Sequence, residues 1–180
     1  MALTLITGAV RSGKSRLAVR LASETRAPVF FIATATAGDE EMKQRIERHR
    51  IERPAEWSTI EERVELDKRL ADVPTDACVL VDCLNLWVSN LMGDGHTDDE
   101  IETRARRAAA VADQRTGLTI AVTNEVGWSI HPTTEMGRRF IDILGRVNSV
   151  WSEVALQAYL AVAGRVLVLG PPVVMGIEDV

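Results

Sequence analysis

Short apolar runs alternate with amphipathic stretches along most of the chain. The apolar runs predict strands at 3–7, 28–34, 57–60, 78–82, 118–123 and 165–169. The amphipathic stretches predict helices at 14–23, 39–50, 61–71, 98–115 and 133–163, the last with a break near Gly145. Because strands and helices alternate, the pattern is typical of an α/β fold in which a mainly parallel sheet is flanked by helices.

The composition narrows the class of protein. The chain has 180 residues, of which 46 % are hydrophobic and 26 % are charged, and its net charge is -5. These values predict one globular domain over residues 1–180. The acidic balance argues against a nucleic-acid partner, which needs a basic face. No apolar run reaches the roughly 18 residues of a membrane span, and the first residues lack a basic segment, so we expect no signal peptide and a cytoplasmic protein.

Metal-ligating side chains are scarce. The two cysteines, Cys78 and Cys83, do not form a CxxC pair, and the chain has only three histidines. We therefore expect no zinc site, and we expect both cysteines to be buried and reduced.

A phosphate-binding loop follows the first predicted strand and opens the first predicted helix. The segment matches the pattern GxxxxGK[ST] in full and consists of Gly8, Ala9, Val10, Arg11, Ser12, Gly13, Lys14 and Ser15. Backbone N–H groups of such a loop, together with the helix N-terminus, bind phosphate oxygens. Lys14 would reach the β- and γ-phosphates, and the Ser15 hydroxyl would bind Mg²⁺. The alternative is a glycine-rich turn that happens to precede a lysine.

A phosphate loop of this kind needs a second oxygen ligand for Mg²⁺, usually a carboxylate at the end of a neighbouring apolar strand. The run Val79–Asp82 fits that description, so Asp82 is the predicted second metal ligand. The alternative is that Asp82 only caps the helix that follows.

The loop alone leaves a kinase, an ATPase, a GTPase switch and a nucleotidyl transferase open. A GTPase switch normally reads guanine through an NKxD motif after a late strand, but this chain has Thr123–Val126 there and no NKxD elsewhere. The arginine-rich segment Arg104–Arg107 fits either a kinase lid or a solvated helix face.

The role of His49 would distinguish nucleotidyl transfer from the other reactions. On a helical wheel it lies on the same stripe as Met42 and Ile46. Four arginines lie close to it in the sequence: Arg45, Arg48, Arg50 and Arg53. One interpretation is a histidine at the edge of the core with solvated neighbours. The other is a nucleophile, because a neutral imidazole can attack phosphorus and form a phosphoramidate, and arginines would stabilise charge on the phosphoryl oxygens.

Five segments, spread over nearly the whole chain, resemble the bifunctional adenosylcobinamide kinase / adenosylcobinamide-phosphate guanylyltransferase family of cobalamin biosynthesis. The first segment is shared by many NTPases, whereas the second and the last two are far more specific. They are Thr7–Ser15, Ile32–Trp57, Leu80–Leu91, Val122–Pro132 and Gly137–Ala155. Two departures stand out: Ala9 replaces the second glycine of the family loop, and Trp128 occupies a position that is often small or aliphatic.

The resemblance implies a RecA-like P-loop fold, a homotrimer and two reactions. ATP or GTP phosphorylates the aminopropanol arm of adenosylcobinamide, and GTP then donates GMP to that phosphate, with GMP resting on His49 between donor and acceptor. The implied nucleotide contacts beyond the loop are Ala33, Thr34, Ala35, Arg50, Ile51, Glu52, Arg53, Glu61 and Asp82.

Two functions of other classes remain open. One is a small-molecule kinase without nucleotidyl transfer, and the other is a non-catalytic module whose interactions depend on a nucleotide. For a kinase step, Glu125 is either the base or a polar anchor of its loop.

Overall fold

The computed structural model describes residues 2–35, 40–51, 53–128 and 132–171, and within helix α2 it does not describe the side chains of 41, 42, 45, 46, 48 and 49. The strands are β1 (Ala2–Gly8), β2 (Val29–Ala33), β3 (Ser58–Glu61), β4 (Cys78–Asp82), β5 (Leu118–Val122), β6 (Gln157–Val162) and β7 (Arg165–Leu169). The helices are α1 (Lys14–Ser23), α2 (Glu40–Ile51), α3 (Leu66–Asp72), α4 (Leu84–Gly93), α5 (Asp98–Gln114) and α6 (Glu135–Val154).

The strands form one sheet in the order β3-β2-β4-β5-β1-β6-β7. Every pairing is parallel except the antiparallel pair β6–β7. The predicted α/β class and the mainly parallel sheet are therefore confirmed. Because parallel strands all end at the same edge, the loops that follow β1, β2, β4 and β5 lie together, which is where ligands bind in such sheets.

Consecutive residues of the central strands face opposite layers of the core. Ile6, Phe31 and Leu80 pack with α1, whereas Leu5 and Ile32 pack with α4, α5 and α6 on the other face. Strands buried on both faces have near-continuous apolar sequences, which explains why these strands could be predicted from the sequence. Among the described residues, no helix is long and apolar enough to cross a membrane.

Several helices and strands differ from the sequence prediction. The segment predicted as a helix from 61 to 71 begins as the end of β3, because Glu61 pairs with Ala33, and the helix starts only at Leu66. The Glu62 carboxylate accepts hydrogen bonds from the backbone N–H groups of Val64 and Glu65 and so shapes this turn. Helix α4 was not predicted, although its buried residues follow helical spacing: Leu84, Trp87, Val88 and Leu91.

The last third of the chain contains the largest error. The predicted helix from 133 to 163 ends at Val154 and is not broken at Gly145, where an added Cβ would meet nothing within 4 Å. The remainder is β6, which pairs with β1. Ala163 and Gly164, both with positive φ, form a tight turn into β7, as two-residue hairpins require.

The two cysteines and the arginine-rich segment also have defined environments. Neither cysteine forms a disulfide; Cys78 is buried, but Cys83 is only half-buried, so the expectation that both are buried is wrong for Cys83. Burial raises the pKa of the Cys78 thiol to about 11. Arg104 and Arg107 lie on α5, across the sheet from α1, and pair with Glu65 and Asp67, an arrangement that favours the solvated helix face over a lid.

Candidate active site at the carboxyl edge of the sheet

The phosphate-loop segment connects the end of β1 to the start of α1, as its motif requires. Gly8 and Gly13 have φ of 146° and 103°, and Arg11 has φ of 58°. Glycine adopts such angles at little cost. Gly13 immediately precedes the helix, whose first residue is Lys14. The loop therefore presents its backbone at a helix N-terminus, where orphan N–H groups and the helix dipole favour phosphate.

Distant parts of the chain brace this loop. A Cβ on Gly8 would overlap the carbonyl oxygen of Ala161 in β6. The Gly164 N–H in the β6–β7 turn donates to the Ser12 carbonyl at 3.0 Å, and the Glu125 N–H after β5 donates to the Gly8 carbonyl at 3.2 Å. The loop is thus held on both sides by neighbouring strands.

Lys14 is turned into the loop. The residue is 7 % exposed, and its Nζ donates to the Ala9 carbonyl at 2.7 Å. Ser12 is also buried, whereas Ala9, Val10 and Arg11 lie exposed at the tip. The ammonium therefore lies within the ring of backbone that would surround a phosphate.

Three predicted contacts lie in one row across neighbouring strands. Glu61 is in register with Ala33, and Ala33 is in register with Asp82, so all three occupy the carboxyl ends of β3, β2 and β4. Strand β5 separates β4 from β1, so Asp82 does not end the strand next to the loop. With strands about 4.8 Å apart, it lies about 10 Å to one side of β1.

Thr34 fastens two of these strand ends together. Its side chain is fully buried, its hydroxyl donates to the Cys83 carbonyl at 2.7 Å, and it accepts from the Cys83 N–H at 2.9 Å. Asn90 of α4 donates to the Thr34 carbonyl at 2.8 Å. The Thr34 side chain therefore fixes the turn after Asp82, and Ala35 follows at the rim.

A pocket of about 270 Å³ lies between this row and α1. Ser15 and Arg16 line it from α1, Phe31 and Leu80 form its floor, and its remaining lining residues are Val19, Arg53 and Asp82. The Ser15 hydroxyl and the Asp82 carboxylate, the two predicted metal ligands, thus face one cavity. Hydroxyl, carboxylate and phosphate oxygens are the donors that Mg²⁺ takes in nucleotide sites, so the donor set suits this ion.

Arg53 closes one side of the pocket. Its guanidinium lies 3.9 Å from the centroid of the Phe31 ring, and its Nη1 donates to the Thr59 hydroxyl at 3.3 Å. Burial lowers the pKa of this guanidinium, while the nearby Asp82 carboxylate acts in the opposite direction. Because an arginine pKa starts far above neutrality, the pocket retains a positive charge that suits phosphate.

Helix α2 precedes Arg53 and carries the predicted nucleophile. The side chains of His49, Arg45 and Arg48 lie outside the described residues, as does all of Glu52. Arg50 is exposed, and Ile51 is 74 % exposed. Four Cα–Cα steps separate His49 from Arg53 and span at most about 14 Å, so the backbone of His49 lies within that distance of the backbone of the pocket-lining arginine.

Sequence reasoning missed a polar network beside the loop. The Thr7 hydroxyl donates to Glu125 Oε1 at 2.6 Å, and Asn148 Nδ2 of α6 donates to the same oxygen at 3.3 Å. The Thr123 hydroxyl donates to Asn148 Oδ1 at 2.7 Å. The sequence signal for this network was the presence of two specific motifs, Thr123–Val126 and Gly145–Asn148. Only the folded chain shows that these two motifs are in contact.

Comparisons with known proteins agree on one family. The family model for cobinamide kinase / cobinamide phosphate guanyltransferase matches residues 4–169. The bifunctional adenosylcobalamin biosynthesis protein CobP of Pseudomonas aeruginosa is 42 % identical over 163 residues, which cover 89 % of this chain and 92 % of that protein. The bifunctional adenosylcobalamin biosynthesis protein CobU of Escherichia coli is 38 % identical over 173 residues, which cover 89 % of this chain and 95 % of that protein.

A solved structure shares the fold at low identity. An ATPase from the type III secretion system of pathogenic bacteria matches with a TM-score of 0.54 and 12 % identity, covering 88 % of this chain and 50 % of that one. The present chain thus spans half the length of that ATPase, and the likeness bears on the fold alone. The predicted P-loop NTPase fold of RecA-like type is confirmed, and by its sequence the chain belongs to the cobinamide kinase / cobinamide phosphate guanyltransferase family.

Proposed function

We propose that this chain phosphorylates the aminopropanol hydroxyl of adenosylcobinamide with ATP or GTP, and then transfers GMP from GTP to the resulting phosphate through a covalent intermediate on His49. The final products are adenosyl-GDP-cobinamide and pyrophosphate. Membership of the family makes the chain a transferase of cobalamin biosynthesis. The observation that carries the proposal is the single pocket shared by Ser15, Asp82 and Arg53 beside the phosphate loop.

The loop would bind the nucleoside triphosphate by its phosphates. Its backbone N–H groups and the α1 N-terminus would contact the phosphate oxygens. Lys14 would exchange its bond to the Ala9 carbonyl for bonds to the β- and γ-phosphates. The same ammonium then neutralises charge on the leaving pyrophosphate during GMP transfer, or on the leaving nucleoside diphosphate during phosphoryl transfer.

Ser15 and Asp82 would hold Mg²⁺ at the pocket wall. The bound ion would neutralise phosphate charge and orient the triphosphate. Ala33, Ala35 and Glu61 at the adjoining strand ends complete the proposed nucleotide contacts, and buried Thr34 fixes the backbone between them.

His49 would attack the α-phosphorus of GTP. A nitrogen–phosphorus bond forms, the bond between the α-phosphorus and the α,β-bridging oxygen breaks, and pyrophosphate leaves with that electron pair. Positive charge nearby favours the neutral imidazole, and Arg45, Arg50 and Arg53 would supply that charge and hold the phosphoryl oxygens, with Ile51 and Glu52 as adjoining nucleotide contacts. The phosphate of adenosylcobinamide phosphate then attacks the same phosphorus and releases His49.

The proposal includes a single catalytic domain over residues 1–180, a homotrimer and a cytoplasmic location, without a nucleic-acid partner. An exposed apolar surface on β7, formed by Val166, Leu167 and Val168, is available for contact between copies. Sedimentation equilibrium measures the assembly directly, and a monomer at micromolar concentration would remove the trimer from the proposal.

Covalent labelling tests the central step. Incubation with Mg²⁺ and GTP labelled at the α-phosphate should yield a protein adduct that is labile in acid and stable in alkali, as a phosphoramidate is. The variant His49→Ala should give no adduct, whereas His96→Ala, a control at a residue that does not line the pocket, should label normally. Adduct formation by His49→Ala would exclude His49 as the nucleophile. Nucleotide consumption without any adduct in the unaltered chain would favour the plain kinase.

A further inference from the structure

The carboxylate of Glu125 occupies a defined place beside the phosphate loop. The Thr123 N–H donates to the Ile6 carbonyl at 2.9 Å, and the Glu125 N–H donates to the Gly8 carbonyl at 3.2 Å. These two bonds extend the β1–β5 ladder past the end of β5 as far as Gly8, the last residue of β1. Glu125 therefore lies at the first residue of the loop, on the edge of the sheet where phosphates bind.

Two donors hold one oxygen of that carboxylate. The Thr7 hydroxyl lies 2.6 Å from Oε1, a distance typical of a hydroxyl that donates to an ionised carboxylate. Asn148 Nδ2 donates to the same Oε1 at 3.3 Å. Within the described part of the chain both donors use Oε1, so the orientation of the carboxylate is fixed while Oε2 remains the oxygen that can take up a proton.

Asn148 is itself locked in place. It lies on α6, the residue is 8 % exposed, and the Thr123 hydroxyl donates to its Oδ1 at 2.7 Å. Its Nδ2 also donates to the Asn124 carbonyl at 3.0 Å. A buried amide is costly unless its polar atoms are paired, and here each is paired with the loop that carries Glu125. This network fixes the position of the Glu125 carboxylate. A side chain that only anchored its loop at the surface would not need such precise positioning.

The chemistry of the two half-reactions differs at the acceptor. In the kinase step the acceptor is an alcohol, which must lose its proton as it attacks phosphorus. In the second step the acceptor is a phosphate that is already ionised, and the nucleophile is an imidazole nitrogen with a lone pair. Only the kinase step therefore needs a base.

Resting on the proposed function, we propose that Glu125 is the general base of the kinase step, with Thr7 and Asn148 as its positioning residues. The substrate hydroxyl gives its proton to Glu125 Oε2 as its oxygen bonds to the γ-phosphorus. The bond from that phosphorus to the β,γ-bridging oxygen breaks, and the nucleoside diphosphate leaves with the electron pair. Glu125 then returns the proton to solvent.

The isosteric variant Glu125→Gln tests this role. Gln keeps an oxygen that accepts from Thr7 and Asn148, so the loop remains anchored, but it cannot take up a proton. We expect kcat for phosphorylation of adenosylcobinamide to fall about 100-fold or more, with KM, the melting temperature and the rate of GMP adduct formation changed by little. Retention of kinase kcat would overturn the proposal, and so would an equal fall of both activities.

The two proposals fail in different ways. If the unaltered chain forms no GMP adduct but phosphorylates adenosylcobinamide, the His49 intermediate fails, while the kinase kcat of Glu125→Gln still decides the role of Glu125. If the unaltered chain forms the adduct and Glu125→Gln keeps full kinase activity, only the role of Glu125 fails.

Double mutants with Glu125→Gln test the two positioning residues. In the otherwise unaltered chain, Asn148→Ala should lower kinase kcat about tenfold. In the Glu125→Gln variant, the same change should lower kcat little further, because both substitutions remove the same function. Ser149→Ala, an exposed neighbour on α6, is the matched control. Thr7→Val should behave like Asn148→Ala, and Thr7→Ser, which restores the hydroxyl donor, should recover the rate. Independent, additive losses would show that Asn148 acts only through the packing of α6.

Discussion

The phosphate loop and helix α2 are the two regions that the proposed GMP transfer brings together, and their described residues lie in very different surroundings. The loop is braced by β6, by the β6–β7 turn and by the segment after β5, and its lysine is buried. The described side chains of α2 are all exposed, and the segment that leaves α2 is tied to the sheet through Arg53 on Phe31. The loop is thus a preformed phosphate site, whereas in the part of α2 and its exit that the structure describes, the contact with the sheet is made by Arg53.

The largest expected effect concerns charge within the preformed loop. Lys14→Ala should lower both kinase and guanylyl-transfer activity about 100- to 1,000-fold, because the buried ammonium supplies charge to the transferring phosphates. Steady-state assays of the two half-reactions measure this. Lys68→Ala is the matched control, since Lys68 is exposed and paired with Glu65 on the surface, and its activity should be unchanged. A loss confined to one half-reaction would contradict a phosphate site shared by both.

The next effect tests whether the shape of the loop is fixed by its neighbours. Gly8→Ala should lower the free energy of unfolding by at least about 2 kcal/mol, because a Cβ there overlaps Ala161 and φ is 146°. Gly145→Ala is the control within α6. It meets open space and should stabilise the chain by about 0.5–1 kcal/mol. Urea unfolding measures both, and equal stabilities would show that the β6 contact does not constrain the loop.

The smallest effect concerns the attachment of α2. Arg53→Lys keeps a positive charge but loses the planar contact with Phe31, so the rate of GMP adduct formation should fall about tenfold. The melting temperature should change little, because the contact is partly solvated. Arg106→Lys, in an exposed pair with Glu102 on α5, should leave adduct formation unchanged. An equal rate for Arg53→Lys would show that the stacked guanidinium does not position the helix.

The sequence predicted the features that depend on local pattern. Helix α1 and strand β4 have the predicted bounds, because a glycine loop and a run buried on both faces are local signals. Helix α5 begins within the predicted range because Thr97 and Glu100 form a capping box, another local signal, with bonds in both directions. The position of the phosphate loop between β1 and α1 was also predictable, because its glycine pattern is a local signal.

Features set by long-range contacts were not predictable in this way. The segment 157–162 contains alanine and leucine that suit a helix, yet pairing with β1 makes it a strand. Thr7 and Glu125 are 118 residues apart in the sequence, and no periodicity connects them. The row of Glu61, Ala33 and Asp82 likewise depends on strand order rather than on the residues near each position.

The site of the covalent intermediate is the most direct test of the account. After reaction with GTP and Mg²⁺, digestion at alkaline pH with a protease that cleaves after glutamate should release the peptide 48–52, which contains His49 as its only histidine. Mass spectrometry should find that peptide heavier by one GMP moiety, and chasing with adenosylcobinamide phosphate should remove the added mass. The absence of GMP from this peptide, or its presence on another peptide, would contradict the proposed mechanism.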